Sequence, residues 1–328
     1  MESTNSPGPL STAPTLRNTC AYSATDKAMF AFAALSQRLS PASHLVAGPY
    51  VGEFGWELMQ WQGYVRARRS HYEQVHVISY PGRDYLYEGC RVHYHNISLQ
   101  AAGHRYGNIT PRESHDMAQA KARELGLDDY DVFSPHLLCT QYHKRLFWKQ
   151  EFRLFIEPPL AGAPRDVAFH FRCVQKNVDH PKNYSPDSAR ELVHLCLKTG
   201  LKVVCIGHPE FSLCPQGAED ARHVDLRQTV AAISSVHAVA GENSGPMHLA
   251  NLCGKPTVLW AYAQSSIDYS LRWNPFRVPI YVAANDTHQP APQRVHAALA
   301  AALSDLQMRT EGFPRPCYTL PPQPIAYY

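Results

Sequence analysis

The stretch that most constrains this chain is Gly241-Glu-Asn-Ser-Gly-Pro-Met-His-Leu-Ala-Asn-Leu-Cys-Gly-Lys-Pro256. An apolar run over 236–240 precedes it, short enough for a buried strand. Pro246 to Cys253 predicts a helix, stopped by Gly254 and Pro256, and Thr257 to Tyr262 predicts another strand. Strand, small-residue turn, helix and strand form a parallel βαβ unit. It places Ser244, Gly245 and the first helical amides at the carboxyl end of a sheet. Free N–H groups and the positive helix end suit that place to an anion such as a diphosphate.

The same alternation extends through the second half. Strands are predicted at Val167–Phe171 and Lys202–Ile206, and helices at Pro186–Thr199, Arg227–Ser234 and Pro292–Leu306. Strands alternating with helices predict an α/β fold with a doubly wound parallel sheet. The first half is less regular. A helix is predicted over Asp26–Leu39, and a strand at His44–Gly48 runs into a glycine-punctuated loop, Pro49–Gly55. The helix Trp56–Arg69 then sets Leu58, Trp61 and Val65 on one face, with Glu57, Gln60 and Tyr64 to the other side. Further strands are predicted at Val75–Ser79 and Arg91–Ile97, and helices at Glu113–Leu125 and His143–Phe155, with a short extended stretch at Asp131–Phe133. The proline cluster Glu157–Pro164 marks a boundary. The predicted organisation is a disordered Ser/Thr/Pro/Asn-rich lead over 1–24, an N-terminal domain over 25–157, a C-terminal domain over 165–308 and a Pro/Tyr-rich tail over 309–328.

A length of 328 residues is enough for two cores, and a formal charge of +3 is too small to argue for a nucleic-acid or membrane partner. The nine cysteines include no Cys-x-x-Cys pair, which predicts reduced thiols in a cytoplasmic protein. The apolar run Ala28–Leu35 is far below the roughly 20 residues of a span, so no stable membrane insertion is expected. Asp129-Tyr-Asp131 matches the Asp-x-Asp pattern of metal-dependent glycosyl transfer, but it stands in an acidic loop after a helix and is expected to be a pair of solvated turn acids. No histidine spacing of a metal site occurs, so no metal is predicted.

Asn243-Ser-Gly-Pro-Met-His-Leu-Ala250, with Gly-Lys-Pro256 after it, resembles the donor-binding segment of the lipopolysaccharide heptosyltransferase family. The likeness runs from about Asp166 to Leu303, and in the first half only near Val46–Arg66. It implies the glycosyltransferase-B fold: two Rossmann-like domains facing across a cleft, here with a compact, acceptor-side N-terminal domain. It also implies metal-independent, inverting transfer of a sugar to an acceptor hydroxyl, with a nucleotide-diphosphate sugar as co-substrate and no cofactor. The expected compartment is the cytoplasm, or that of the host if the protein is viral.

The resemblance assigns the donor's diphosphate and sugar to Asn243, Ser244, Gly245, Pro246, Met247 and His248. Arg172, in a His-x-Arg element like that of fucosyltransferases, and Lys182 are the candidate cations for the phosphates, with Lys176 as a substitute for Lys182. Asn243 stands where the family has aspartate, so Glu242 is a candidate to take over a hydroxyl contact. Gly207 and His208 follow the second strand of this half, where such folds place the nucleoside. In the family an acid begins the first helix, with an arginine nine residues on. Glu57 and Arg66 have that spacing, which makes Glu57 the candidate base facing the cleft and Glu53 the second candidate. Trp56 replaces the glycine that precedes the acid in the family. The basic run Arg66-Ala-Arg-Arg69 and the aromatics Trp56, Trp61, Tyr64, Tyr80 and Tyr85 are acceptor-side candidates, for a glycan, a lipid-linked sugar or a hydroxymethylated DNA base. The competing expectation is that this helix packs its tryptophans inward. Two other classes are a nucleotide-sugar-binding protein without catalysis and a DNA-binding module. Acids in the cleft favour the enzyme, and a steep salt dependence of DNA affinity would mark the last.

Overall fold

The computed structural model describes residues 24–97, 109–136, 150–162, 164–174 and 181–312. Lys176, the tail from 313 and all but the last residue of the predicted lead lie outside them. The helices are α1 (Ala24–Leu39), α2 (Phe54–Trp56), α3 (Gln62–Arg68), α4 (Pro111–Glu124), α5 (Pro186–Lys198), α6 (Leu226–Ser234), α7 (Gly245–Leu252), α8 (Ala263–Leu271) and α9 (Pro292–Gly312). The strands are β1 (His44–Ala47), β2 (Gln74–Ser79), β3 (Arg91–Tyr94), β4 (Tyr130–Phe133), β5 (Val167–Arg172), β6 (Val203–Cys205), β7 (Ser212–Leu213), β8 (Glu219–Asp220), β9 (Ala238–Glu242), β10 (Thr257–Trp260) and β11 (Ile280–Ala284).

Two sheets result, one from each half. The first runs β3-β2-β1-β4, and the second β11-β10-β9-β5-β6-β8, with β7 paired antiparallel to the end of β5. Every other pairing is parallel. Such strands need crossover helices, which the alternation in sequence supplies. Local chemistry sets the helix starts. Thr110 and Glu113 form a reciprocal capping box with Pro111 in the first turn of α4, and Asp225 accepts from the Arg227 amide at the head of α6.

One continuous core joins both halves, with Leu45, Val77 and Trp61 in the same cluster as Val239, Leu249 and Leu259. The far face of the second sheet packs on α5 and α9 through Leu192, Val193, Val295 and Leu299. A smaller cluster joins α4 to the first sheet through Val46, Ile78 and Ala118. No helix among the described residues is long and apolar enough to cross a membrane.

Three expectations are corrected. The predicted helix Trp56–Arg69 starts earlier, at Phe54, and contains a π turn over Glu57–Trp61. Its supposed polar side is buried too, with Glu57 1 % and Gln60 6 % exposed, because this helix lies between the first sheet and α7. The strand predicted over 236–240 sits two residues later, so Glu242 ends it as a buried residue. Residues 150–155, predicted helical, form neither helix nor strand, and the Phe155 amide donates to the Leu252 carbonyl. The remainder of that predicted helix, 143–149, lies outside the described residues. The helix α8 and strand β11 were not anticipated.

Candidate donor site

The carboxyl ends of β5 and β9 meet at the head of α7. Ser244, the N-cap of α7, is extended, and its side chain makes no capping bond. Its hydroxyl instead pairs with Nδ1 of His170 on β5 at 2.9 Å. The first-turn amides of α7 therefore gain no acceptor from their own cap, and the helix end is left to attract an anion. His170 is 4 % exposed, and burial, aided by Arg172, holds its ring down to about 3, so it is neutral. Gly207 shapes the same corner: its φ is +115°, and a Cβ there would stand 2.7 Å from His170 Cδ2.

Two cations reach this corner. Lys182, just before α5, places Nζ 3.4 Å from the Asn243 carbonyl. Arg172 ends β5, and its buried Nε has no hydrogen-bond partner. Both cations act on Glu242, which is 0 % exposed with neither carboxylate oxygen hydrogen-bonded. Burial raises this carboxyl to about 7, against the downward pull of Lys182, Arg172 and the Ser244 hydroxyl; Glu53, from the other half, adds to the rise. A desolvated carboxyl without a partner is costly in a folded chain, and such groups concentrate where ligands bind.

His248 lies one turn into α7, with its ring against Tyr269 and Trp273 and its Nδ1 buried without a partner. Burial and Lys182 hold it down to about 3. Met247 is a core residue whose carbonyl accepts from the Tyr269 hydroxyl at 2.6 Å. Asn243 is 7 % exposed, and Pro246 is half-buried in the first turn.

The first half meets α7 through the loop after β1. The Tyr50 hydroxyl donates to the Glu53 carbonyl at 2.7 Å and fixes the loop. Glu53 is exposed at the N-cap of α2. Phe54 lies against Gly245, Gly55 faces His248, and Trp56 sets its ring edge-on to Trp273 at 5.9 Å. The tryptophan that departs from the family pattern is thus a contact between the two halves.

Glu57 does not face the cleft. Its Oε1 accepts from the Ser79 hydroxyl at 2.9 Å and the Tyr87 hydroxyl at 2.7 Å, and its Oε2 lies 3.8 Å from Arg83 Nε. Burial beside this carboxylate raises the Tyr87 phenol well above its usual value, so it stays a donor. Arg66 does not join Glu57 but donates to the Leu86 carbonyl at 2.9 Å. The basic run is no open phosphate patch either: Arg68 is 5 % exposed with its guanidinium over Phe133, and Arg69 donates to the Glu88 carbonyl. Trp61, Tyr64 and Tyr85 are likewise buried in the core. Asp129 and Asp131 bind the backbone at Ser43 and Ala42, and Asp131 also accepts from Tyr72, tying β4 to the start of β1.

Beside the donor corner, a cavity of about 740 Å³ opens between the two halves. Tyr80, Asp84 and His95 line it from one side, and His208, Asp225 and Arg227 from the other. The nucleoside candidate His208 and the acceptor-side candidate Tyr80 line this cavity from opposite sides, but the rest of the loop after β2 was not singled out in the sequence. The only trace of that loop in sequence is the turn Pro81-Gly-Arg-Asp84.

No protein-family model and no curated protein matches this sequence. Solved structures do match. The ADP-heptose lipopolysaccharide heptosyltransferase II of E. coli superposes with a TM-score of 0.52 at 15 % identity, over 81 % of this chain and 99 % of that one. A glycosyl transferase of family 9 from Veillonella parvula gives a TM-score of 0.50 at 11 % identity, over 80 % of this chain and 98 % of that one. At such identities the likeness is one of fold, and the chain has the α/β glycosyltransferase-B fold.

Proposed function

We propose that this chain is a glycosyltransferase that moves a sugar from a nucleotide-diphosphate donor to an acceptor hydroxyl. The observation that carries the proposal is the convergence of Arg172, Lys182 and the uncapped head of α7, opposite the exposed Glu53. The E. coli enzyme of similar fold is named for ADP-heptose, which makes a nucleotide sugar the donor class to test.

In this scheme the diphosphate lies against the first-turn amides of α7, with Lys182 and Arg172 neutralising the charge that grows on it as it leaves. Asn243 and Glu242 receive hydroxyls of the sugar. The nucleoside extends toward Gly207 and His208 into the cavity. Glu53, rather than the buried Glu57, takes the acceptor proton while the hydroxyl oxygen attacks the anomeric carbon. The new glycosidic bond forms as the bond to the diphosphate breaks, with inversion at that carbon. Two side-chain cations and a helix end do the work of leaving-group stabilisation, so the scheme invokes no metal. The acceptor is a glycan or a hydroxymethylated DNA base.

The test is a thermal-shift screen of UDP-, GDP-, ADP- and CMP-sugars. A true donor at a hundred times its Kd stabilises the fold by about 2.7 kcal/mol. Arg172→Ala and Lys182→Ala are each expected to abolish most of that shift. Absence of a shift with all four classes would overturn the proposal, and turnover assays with glycan and hydroxymethylated-DNA acceptors decide between the two acceptors.

A further inference from the structure

The loop after β2 holds a third cation that neither sequence spacing nor the family resemblance points to. Arg83 stands in the turn before Asp84, its side chain 14 % exposed. Two contacts fix it without saturating it. Its guanidinium carbon lies 3.8 Å from the centroid of the Phe54 ring, and Phe54 in turn lies on Gly245 at the head of α7. Its Nε is 3.8 Å from Glu57 Oε2, too long for a hydrogen bond, while the other oxygen of that carboxylate is taken by Ser79 and Tyr87. Its Nη1 is buried and has no hydrogen-bond partner. The charge also reaches across the cleft, where it helps burial to lower His208.

A guanidinium has five N–H donors in a rigid fork, and leaving them unmade in a desolvated place is unfavourable. Here the fork is held by an aromatic face and a buried carboxylate, beside the Phe54 that packs on the donor corner and in the turn whose Gly82 and Asp84 line the cavity. Glu57, whose carboxylate does not reach the cleft, thereby gains a different part: it orients Arg83. Arginine suits phosphate because two parallel N–H groups match two oxygens.

We propose that Arg83 is a ligand of the donor's diphosphate, closing on it from the wall opposite Arg172 and Lys182. The proposal rests on the donor-site assignment above. It makes diphosphate binding a joint property of both halves, so the donor itself would hold the cleft together.

The experiment compares the full-length chain with its Arg83→Gln and Arg83→Lys variants. Binding is measured for whichever of UDP, GDP and ADP stabilises the wild type, and for the matching unphosphorylated nucleoside. Arg83→Gln is expected to weaken the diphosphate about tenfold to a hundredfold and to leave the nucleoside unchanged. Arg83→Lys, which keeps the charge without the fork, is expected to recover part of that loss and serves alone if Arg83→Gln does not fold. Glu57→Gln is expected to weaken the diphosphate less than Arg83→Gln, again sparing the nucleoside. Unchanged diphosphate affinity in Arg83→Gln overturns the proposal, as does an equal loss for diphosphate and nucleoside, which would mark a merely structural arginine. If none of the three diphosphates binds the wild type, the donor-site assignment itself fails, and Arg83 falls with it.

Discussion

The Phe54 ring rests on Gly245: a Cβ at Gly245 would stand 2.5 Å from Phe54 Cδ1. The contact joins the loop of the first sheet to the head of α7, and Arg83 already occupies part of the ring's surroundings. Gly245→Ala therefore has little room to be absorbed. It is expected to destabilise the fold by about 1–3 kcal/mol. The double variant Phe54→Ala Gly245→Ala should lose less than the sum of the two single losses, as urea melts of the four chains would reveal.

The two acids of the first loop should separate cleanly. Glu53→Gln is expected to lower turnover about 10²- to 10⁴-fold with almost no change in melting temperature, since the side chain is exposed. Glu57→Gln should cost about 1–3 kcal/mol of stability, because Ser79 and Tyr87 lose their charged acceptor. Near-full turnover in Glu53→Gln would remove it as the base.

Glu242 makes stability depend on pH. Its carboxyl sits near 7 in the folded chain against an ordinary 4.5. Between those values the folded state holds a proton that the unfolded state has lost. The contribution is thus complete below about pH 4.5 and is lost as pH rises through 7, amounting to about 3 kcal/mol at most. Chemical denaturation of wild type and Glu242→Gln from pH 5 to pH 8 should show the wild type losing ground to the variant up to about pH 7 and levelling off above it. Parallel pH curves for the two would contradict the burial of an unpaired carboxyl.

Gly207→Ala tests the corner behind Ser244. At φ +115° an alanine is strained, and its Cβ would press on His170 Cδ2 at 2.7 Å. Displacing that ring breaks the Ser244–His170 bond. The expected result is a loss of about 2 kcal/mol or more, together with weaker nucleotide binding. A variant that melts like wild type would show the corner to be softer than its geometry implies.

What could be read from the sequence was whatever depends on neighbours along the chain. The βαβ pattern around Gly241–Pro256 and the order of most strands and helices in the second half follow from local periodicity and turn chemistry, whereas Lys182, which lies beside the donor loop, was pointed to by the family resemblance. The misreadings arose where a partner distant in sequence decides. Glu57 looked like an open first-turn acid because nothing nearby shows Ser79 and Tyr87 converging on it. Strand β9 was set two residues early because exposed His237 sits in its apolar run while Glu242, a charge, is fully buried. Arg83 gave no signal at all, since an arginine in a Pro-Gly turn is ordinarily solvated.

The π turn over Glu57–Trp61 bears on how such chains are compared. Its hydrogen bonds close over five residues instead of four, so the winding slows just where the acid stands. Residues before and after the turn are rotated relative to one another away from regular helical phase. Glu57 and Arg66 keep the family's separation when counted along the chain, yet they point to different partners. Counting positions and aiming side chains are separate quantities, and one slack turn is enough to uncouple them. A helix of this kind can change which acid its cleft presents without inserting or deleting a single residue.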